Sequence, residues 1–190
     1  MRKRQMRSPR AQSPEPRAHG LEPGVENVET TPARTAYVDA LRMLARRELS
    51  EAQIRERLTR ADHDDSNIES AIERLKEERA IDDTRVANAI ARTEIVVKRR
   101  GKLRIRRTIE AAGIASGIAQ QAVDAAFAEV DGDDLLERAL GKRLREGGEI
   151  TDDRVFQRLY RYLIGQGFES ERVVKTLRAK RRLQNPKPGA

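Results

Sequence analysis

Apolar side chains recur at steps of three and four residues through most of the chain, the spacing that places them on one face of a helix. Five sets show this most clearly: Leu41, Leu44 and Ala45; Ile54 and Leu58; Ile68, Ile72 and Leu75; Val86, Ile90 and Val97; Leu136, Leu140 and Leu144. No segment alternates between apolar and polar residues as a half-buried strand does. The pattern therefore predicts an all-α fold.

Polar residues mark the starts of several of these helices. Ser50 and Gln53 have the spacing of a capping box, and Leu49 with Ile54 would form the hydrophobic staple around it. The pairs Asp82-Asp83 and Asp152-Asp153 resemble paired metal ligands, but neither has a His or a third acid at ligand spacing. Because a carboxylate accepts from the unpaired N–H groups that open a helix, we expect both pairs to act as caps.

One framework of positions occurs three times along the chain. It consists of an origin and the positions +4, +8, +9, +14 and +18 counted from it, and the three copies are: Ile54, Leu58, Asp62, His63, Ile68, Ile72; Ile105, Ile109, Gly113, Ile114, Ala119, Val123; Leu159, Leu163, Gly167, Phe168, Val173, Leu177. Each copy reads as a helix, a tight turn and a second helix, and a further helix is expected before each pair, at about 35–47, 82–100 and 133–145. We therefore predict an elongated array of three tandem three-helix, helix-turn-helix-like repeats over residues 35–81, 82–131 and 132–182.

The two ends of the chain lack this periodicity. Residues 1–34 contain five of the seven prolines, and we expect them to form a disordered basic tail. Residues 183–190 are expected to be a second disordered tail. No apolar run approaches the length of a membrane span, and the basic start has no apolar core of a secretory signal, so a cytoplasmic location is expected.

Composition removes several function classes. The chain has no Cys and only two His, which excludes zinc fingers, disulfide scaffolds and thiol enzymes. It has no Gly-rich phosphate-binding loop, and His63 falls in a predicted turn without a nucleophile nearby. We therefore expect no enzyme activity, no cofactor and no metal.

Positive charge is concentrated in the stretch KRRGKLRIRR, residues 98–107, which holds seven bases in ten residues. The chain as a whole has 39 Lys and Arg against 31 Asp and Glu. Exposed helical faces normally mix signs, as residues 69–79 do, but no acid lies between Glu94 and Glu110. The alternative is an ordinary solvated face, but like charges on one face repel, and the run favours a surface for an anionic partner. The candidate binding residues are Arg46, Arg47, Lys98, Arg99, Arg100, Lys102, Arg104, Arg106, Arg107, Lys175, Arg178, Lys180, Arg181 and Arg182.

Four groups of residues, in order and at the right distances, resemble the RecX family of regulators of the RecA recombinase, from about residue 35 to about residue 182. These are Leu41-x-x-Leu44 with Arg46-Arg47, Ser50, Ile54 and Leu58; Leu75 with Ile81-Asp82-Asp83 and Val86-Ala87; Gly101-x-x-x-Ile105 through Ile109 to Gly113-Ile114; and Leu159, Leu163 and Gly167-Phe168. Ala80 and Gln166 depart from the family pattern, in which Gly and Arg are usual.

The resemblance implies a specific function. RecX-like proteins lie in the groove of the RecA–DNA filament and limit its growth and its ATPase, strand-exchange and coprotease activities, within DNA repair, recombination and the SOS response. The resemblance thus implies a monomeric regulator that binds the RecA filament and also touches single- or double-stranded DNA weakly and without sequence preference. An architectural DNA-binding protein that needs no recombinase is the alternative. A transcriptional repressor would need a distinguished recognition helix, which the three similar units do not provide.

Overall fold

A computed structural model of the chain describes residues 35–144 and 148–184. Within these residues the chain forms nine α-helices and no strand. The helices are α1 (Ala36–Leu44), α2 (Glu51–Arg60), α3 (Asp65–Glu77), α4 (Asp83–Val96), α5 (Lys102–Glu110), α6 (Ser116–Ala128), α7 (Gly132–Leu144), α8 (Asp153–Gly165) and α9 (Ser170–Gln184). The predicted all-α repeat fold is confirmed. The predicted tail 1–34 and residues 185–190 of the second tail lie outside the described residues, and α9 continues through residues 183–184.

The helices form three groups, α1 to α3, α4 to α6 and α7 to α9. Each group buries the apolar positions of its copy of the repeat. The origin and positions +4, +14 and +18 of every copy lie inside the protein, each at most 2% exposed: Ile54, Leu58, Ile68, Ile72, Ile105, Ile109, Ala119, Val123, Leu159, Leu163, Val173 and Leu177. At position +9, Ile114 and Phe168 are buried, and His63 is half-buried with its Nε2 3.2 Å from Asp39 Oδ2. The predicted turn position of His63 is therefore confirmed, and its ring contacts Asp39 on α1.

The predicted helix caps are in place. Ser50 accepts from the backbone N–H of Gln53, whose side chain accepts in return from the backbone of Ser50. Asp82 and Asp152 each accept from the backbone N–H three residues ahead, at 3.0 and 2.8 Å. Asp83 has a different role, since its Oδ1 accepts from the first backbone N–H of α2 at 2.9 Å. The second carboxylate of this pair therefore links the first group of helices to the second.

Two hydrophobic cores hold the molecule together. Buried residues from Ala36 to Ile81, on α1 to α3 and their connections, form the first core. Buried residues from Val86 to Leu177 form the second, which α4 to α9 share. The second and third groups are therefore packed as one body around a common core, and the first group has a core of its own.

The first helix buries a different face from the one its large apolar residues suggest. The periodicity places Leu41 on the buried side, but this side chain is 37% exposed. Ala36 and Ala40 are buried instead. Small side chains on this face let α1 approach its neighbours closely.

The fourth helix is shorter than predicted. Periodicity suggests a helix over 82–100 with Val97 on its buried face, but α4 ends at Val96 and Val97 is 66% exposed. The backbone reverses at Arg99, whose φ is 55°. The N–H groups of Arg99 and Arg100 then bond back to the last turn of α4, as in a helix C-cap. The basic stretch is therefore divided between this turn and the start of α5.

Consecutive groups meet through the same contact. The Oγ of Ser50 donates to the carbonyl of Ala112 at 2.5 Å, and the N–H of Gly101 donates to the carbonyl of Gln166 at 2.9 Å. Ser50 and Gly101 both stand four residues before a repeat origin, and Ala112 and Gln166 both stand seven residues after the next one. The turn of one group thus docks against the N-terminus of the middle helix in the group before it.

Close approach at this joint explains two glycines. Gly113 and Gly167 have φ values of 80° and 89°, in the left-handed region. A Cβ on Gly113 would overlap the Cβ of Ala52, and a Cβ on Gly167 would lie 2.5 Å from the Cβ of Arg104. The matching turn of the first group contains Asp62, with φ 64° and an exposed side chain. Aspartate adopts this conformation more readily than most residues, and its side chain is free to project into solvent here.

Candidate nucleic-acid interface

Three residues of the basic stretch lie in the turn between α4 and α5. The buried carboxylate of Glu94, 2% exposed, accepts from Lys98 Nζ at 2.6 Å and from the guanidinium of Arg100. The arginine between them, Arg99, reaches the carbonyl of Arg138 on α7 at 3.4 Å. Glu94 thus neutralises much of the charge of two predicted binding residues, which also hold the turn in place.

The remaining bases of the stretch lie on α5. Lys102 Nζ is 3.9 Å from Asp124 and lies over the ring of Phe127, 5.3 Å from its centre. Arg106 Nε is 3.5 Å from Glu110 Oε1. Arg104 and Arg107 have no carboxylate partner within the described residues, and both are exposed. The charge available to an outside partner on α5 is therefore concentrated on these last two arginines.

Arg104 reaches across to the third group of helices. Its Nη1 donates to the carbonyl of Gly165, in the last turn of α8, at 2.8 Å. This carbonyl has no partner further along α8, and a cation at a helix C-terminus is favourable. Arg104 therefore brings the exposed face of α5 up to the end of α8.

A row of arginines that the sequence analysis missed runs along α8. Arg154, Arg158 and Arg161 are exposed and stand at steps of four and three residues, so they share one face of the helix. None of their side chains has a hydrogen bond or an ion pair in the part of the chain that the structure describes. The helix carries no carboxylate after Asp153. Beyond Asp153, every charged side chain of α8 is therefore positive.

Repeat positions connect the two rows. Arg104 and Arg158 each stand one residue before an origin, and Arg107 and Arg161 each stand two residues after it. The first group has Gln53 and Glu56 at these positions. The repeat register was therefore the signal that could have identified the arginines of α8. We name Arg104, Arg107, Arg158 and Arg161 the α5–α8 arginine surface.

The other predicted residues lie elsewhere. Arg46 and Arg47 are exposed in the turn after α1, and no hydrogen bond or ion pair among the described residues connects them with the α5–α8 arginine surface. On α9, Arg181 pairs with Asp153 at 2.7 Å. The other four predicted binding residues of that helix are Lys175, Arg178, Lys180 and Arg182.

A groove between α7 and α9 takes in part of this second cluster. Its volume is about 910 Å³, and Arg172, Lys175 and Lys180 line it together with five carboxylates, Asp133, Glu137, Glu149, Glu169 and Glu171. Both signs of charge are therefore present there, so the groove is a weaker attractor of a polyanion than the face of α8. In the described residues, no group of three acidic or histidine side chains is arranged to hold a metal ion. No helix in the same part of the chain is long and apolar enough to cross a membrane.

Comparisons with known proteins agree on one family. A sequence model described as the first three-helix domain of RecX matches residues 36–75. The regulatory protein RecX of Syntrophotalea carbinolica is 32% identical over 140 residues, covering 73% of this chain and 92% of that protein. The regulatory protein RecX of Halorhodospira halophila is 30% identical over 135 residues, covering 70% and 81%.

Solved structures have the same fold. The crystal structure of RecX from Lactobacillus salivarius superposes with a TM-score of 0.64 at 20% identity, covering 78% of this chain and 95% of that one. A crystal structure of a regulatory protein RecX gives 0.63 at 23% identity, covering 76% and 70%. The solved structures show that the fold is shared, whereas the sequence relatives indicate the family. Because the Syntrophotalea carbinolica protein is matched along nearly its whole length, the chain belongs to the RecX family of regulatory proteins.

Proposed function

We propose that this protein regulates the RecA recombinase by binding the RecA–DNA filament, and that it limits filament growth and the ATPase, strand-exchange and coprotease activities. The protein acts by occupying the filament and performs no chemistry of its own. Membership of a family of regulators supports this proposal, and the resemblance of the sequence motifs supplies the partner. The contact with nucleic acid is assigned to the α5–α8 arginine surface.

One observation carries this assignment. The same pair of arginines recurs at the same repeat positions on α5 and α8, exposed and without a carboxylate partner within the described residues. Guanidinium groups bind phosphates through paired hydrogen bonds, and each phosphate contact releases bound counterions from DNA. A pair repeated on two helices that meet through the hydrogen bond from Arg104 to Gly165 suits a repeating polyanion better than it suits a single small anion.

The test is an ATPase assay of the cognate RecA on single-stranded DNA, with this protein titrated in. We expect the wild-type chain to suppress the ATPase. The variant Arg107→Gln/Arg158→Gln/Arg161→Gln should need about tenfold more protein for the same suppression, because three phosphate contacts are lost. Arg104 is left unchanged because it also holds the joint to α8. The slope of log affinity against log salt should become shallower by about one unit per lost contact.

A matched variant controls for net charge. Arg42→Gln/Arg60→Gln/Arg79→Gln removes the same charge from exposed positions of the first group, none of them among the predicted binding residues. It should suppress the ATPase like the wild-type chain. If both triple variants lose the same activity, the effect follows net charge alone and the assignment to the α5–α8 arginine surface is wrong.

The alternative is a DNA-binding protein that acts without a recombinase. The same arginines favour this alternative, because they would bind bare DNA equally well. Affinities for bare DNA and for the filament, measured at one salt concentration, separate the two functions. Equal affinities would favour the alternative, and tighter binding to the filament would favour the regulator.

A further inference from the structure

Exposed apolar side chains are concentrated at the joint between the second and third groups of helices. Six large apolar side chains are exposed in the described residues, and four of them lie within a few residues of Gly101 or Gly167: Val96, Val97, Leu103 and Ile164. The backbone brings the segments of Leu103 and Ile164 together. The N–H of Leu103 bonds to the carbonyl of Gly167 at 3.2 Å, and the N–H of Gly167 bonds to the carbonyl of Ile164 at 2.9 Å.

Val96 and Val97 are the most exposed of the four. They are 75% and 66% exposed, side by side at the end of α4, in a chain with a mean hydropathy of −0.76. Nothing in the helix requires them, since the buried face of its last turns is formed by Ala91 and Ile95. An aliphatic side chain offers a phosphate neither charge nor a hydrogen bond. The valine pair therefore does not contribute to binding the nucleic-acid backbone. Neighbouring exposed apolar residues instead mark a contact with another protein.

The charges around the valine pair define the partner further. On the same stretch of helix and turn, Arg92 and Arg99 flank the valine pair along the chain without a carboxylate partner in the described residues, whereas Lys98 is paired with Glu94. The one carboxylate of this stretch is Glu94, which is buried and already paired twice. The charge left over on this rim is therefore positive, and the surface that complements it is apolar in the centre and acidic at the edge.

We propose that Val96 and Val97, with their cationic rim, dock onto an apolar patch edged by carboxylates on a protein subunit of the filament. This inference rests on the proposed function and deepens it, because it divides the two contacts between two surfaces. The end of α4 binds the protein part of the filament, and the α5–α8 arginine surface binds its nucleic acid. The short turn of residues 97–101 joins the two surfaces, so both engage one filament together.

The test uses the full-length chain with Val96→Thr/Val97→Thr, which keeps the branched shape and replaces a methyl by a hydroxyl at each site. Because both side chains are exposed, the thermal unfolding transition should not move. Affinity for bare DNA should stay at the wild-type value, and affinity for the RecA–DNA filament should fall about tenfold, as expected for two buried methyl groups. The control Val38→Thr/Leu41→Gln makes a similar change on α1, at the two exposed apolar residues away from the joint, and should leave both affinities unchanged.

A charge pair at Val97 tests the acidic edge. Val97→Lys and Val97→Glu both remove the apolar contact, but only the glutamate places a negative charge against carboxylates. Filament affinity should therefore fall further for the glutamate than for the lysine, by more than the difference that the same two variants show on bare DNA. An equal fall would overturn the acidic character of the partner.

The outcomes separate this inference from the function beneath it. A wild-type chain that binds bare DNA but prefers no filament overturns the proposed function and this inference together. A wild-type chain that prefers the filament, with the threonine variant binding equally tightly, overturns this inference alone. A wild-type chain that dimerises in sedimentation at increasing concentration, while the threonine variant stays monomeric, assigns the valine pair to a second copy of the chain and overturns the docking onto the filament.

Discussion

Position +8 of the repeat, which has a positive φ in all three copies, is Asp62 in the first copy and Gly113 and Gly167 in the others. The residue type follows from what packs against each turn. Gly113 and Gly167 face the middle helix of the preceding group at a distance that leaves no room for a Cβ. Asp62 faces solvent. Conformation alone would allow aspartate or glycine at all three turns, so it is the joint that selects glycine at two of them.

We predict that Gly113→Ala and Gly167→Ala each lower the free energy of unfolding by about 2 kcal/mol or more, because a positive φ and a steric overlap add together. Gly141 provides the control, since a Cβ there meets nothing within 4 Å. Because it lies inside α7, Gly141→Ala should raise the free energy of unfolding by about 0.5–1 kcal/mol. Urea unfolding followed by circular dichroism measures all three. Equal effects at the three sites would contradict the close packing of the joint.

Side-chain partners were the part of the site that the sequence could predict least. The run of bases in residues 98–107 was visible as composition, and its division into a turn and a helix start was not. In the sequence Glu94 marks the edge of an acid-free stretch, whereas in the fold its carboxylate is buried and pairs with Lys98 and Arg100. The neutralisation arises from a chain reversal at Arg99, a residue type that seldom adopts a positive φ, and no local signal announced it.

At the scale of the helices, caps and periodicity were good predictors and helix ends were not. The capping box at Ser50 and the caps at Asp82 and Asp152 were predicted from the local sequence, because each depends on atoms within three residues. The end of α4 depends instead on the burial of Glu94 and on the contact with the third group, which are tertiary. Periodicity predicts Val97 as a buried residue because the spacing of apolar side chains does not indicate where a helix ends.

The start of α2 is held by a cluster of charges with a pH dependence of its own. Glu51 lies 2.5 Å from Lys76 and 3.1 Å from Arg55. The hydrogen bond from Lys76 lowers the pKa of Glu51 below its ordinary 4.5, partial burial opposes this, and the hydrogen bond from Arg55 adds to the lowering. A carboxyl with a lowered pKa in the folded state stabilises the fold at pH values above the unfolded pKa. That stabilisation is lost as the pH falls below the unfolded pKa and through the folded-state pKa.

We therefore predict that Glu51→Gln lowers the free energy of unfolding at neutral pH by about 0.5–1 kcal/mol, the range of a partly exposed ion pair. The variant should lose less stability than the wild-type chain between about pH 5 and pH 3, since one linked carboxyl is gone. Urea unfolding at several pH values measures both effects. Lys76→Met should reproduce part of the change, and the double variant should lose less than the two single variants summed. If the free energy of unfolding changed with pH in the same way for wild type and Glu51→Gln, the proposed link between Glu51 protonation and stability would be refuted.

On the scale of the whole molecule, the three groups look equal in sequence and are unequal in packing. The repeat register predicted which residues are buried, but it treated the groups as identical units. In the fold, the second and third groups share one core and the first keeps its own. Which groups merge depends on the contacts of α4, α5 and α7 with residues distant in the chain, and the pattern of single positions does not contain that information.

This division predicts two regions of stability. Leu177→Ala in the shared core should reduce the amide hydrogen-exchange protection of α4 to α9, with a loss of about 2–4 kcal/mol there, and leave α2 and α3 less affected. Leu58→Ala in the first core should do the reverse. Both side chains are fully buried, so the two variants are matched. Uniform loss of protection along the chain in both variants would mean that the whole array unfolds as one unit.

The two ends of the array also differ from its joints. The middle helices α2 and α5 begin three residues before their repeat origins, whereas α8 begins six residues before its own. Val155 therefore lies inside the first turn of α8, at the place where Ser50 and Gly101 receive a following turn. A fourth group could not dock there without unwinding that turn, and the side chain of Asp62 obstructs docking at the opposite end. The contact that joins consecutive groups is therefore blocked at both ends of the described array by local features of the chain, which are the early start of α8 at one end and the side chain of Asp62 at the other.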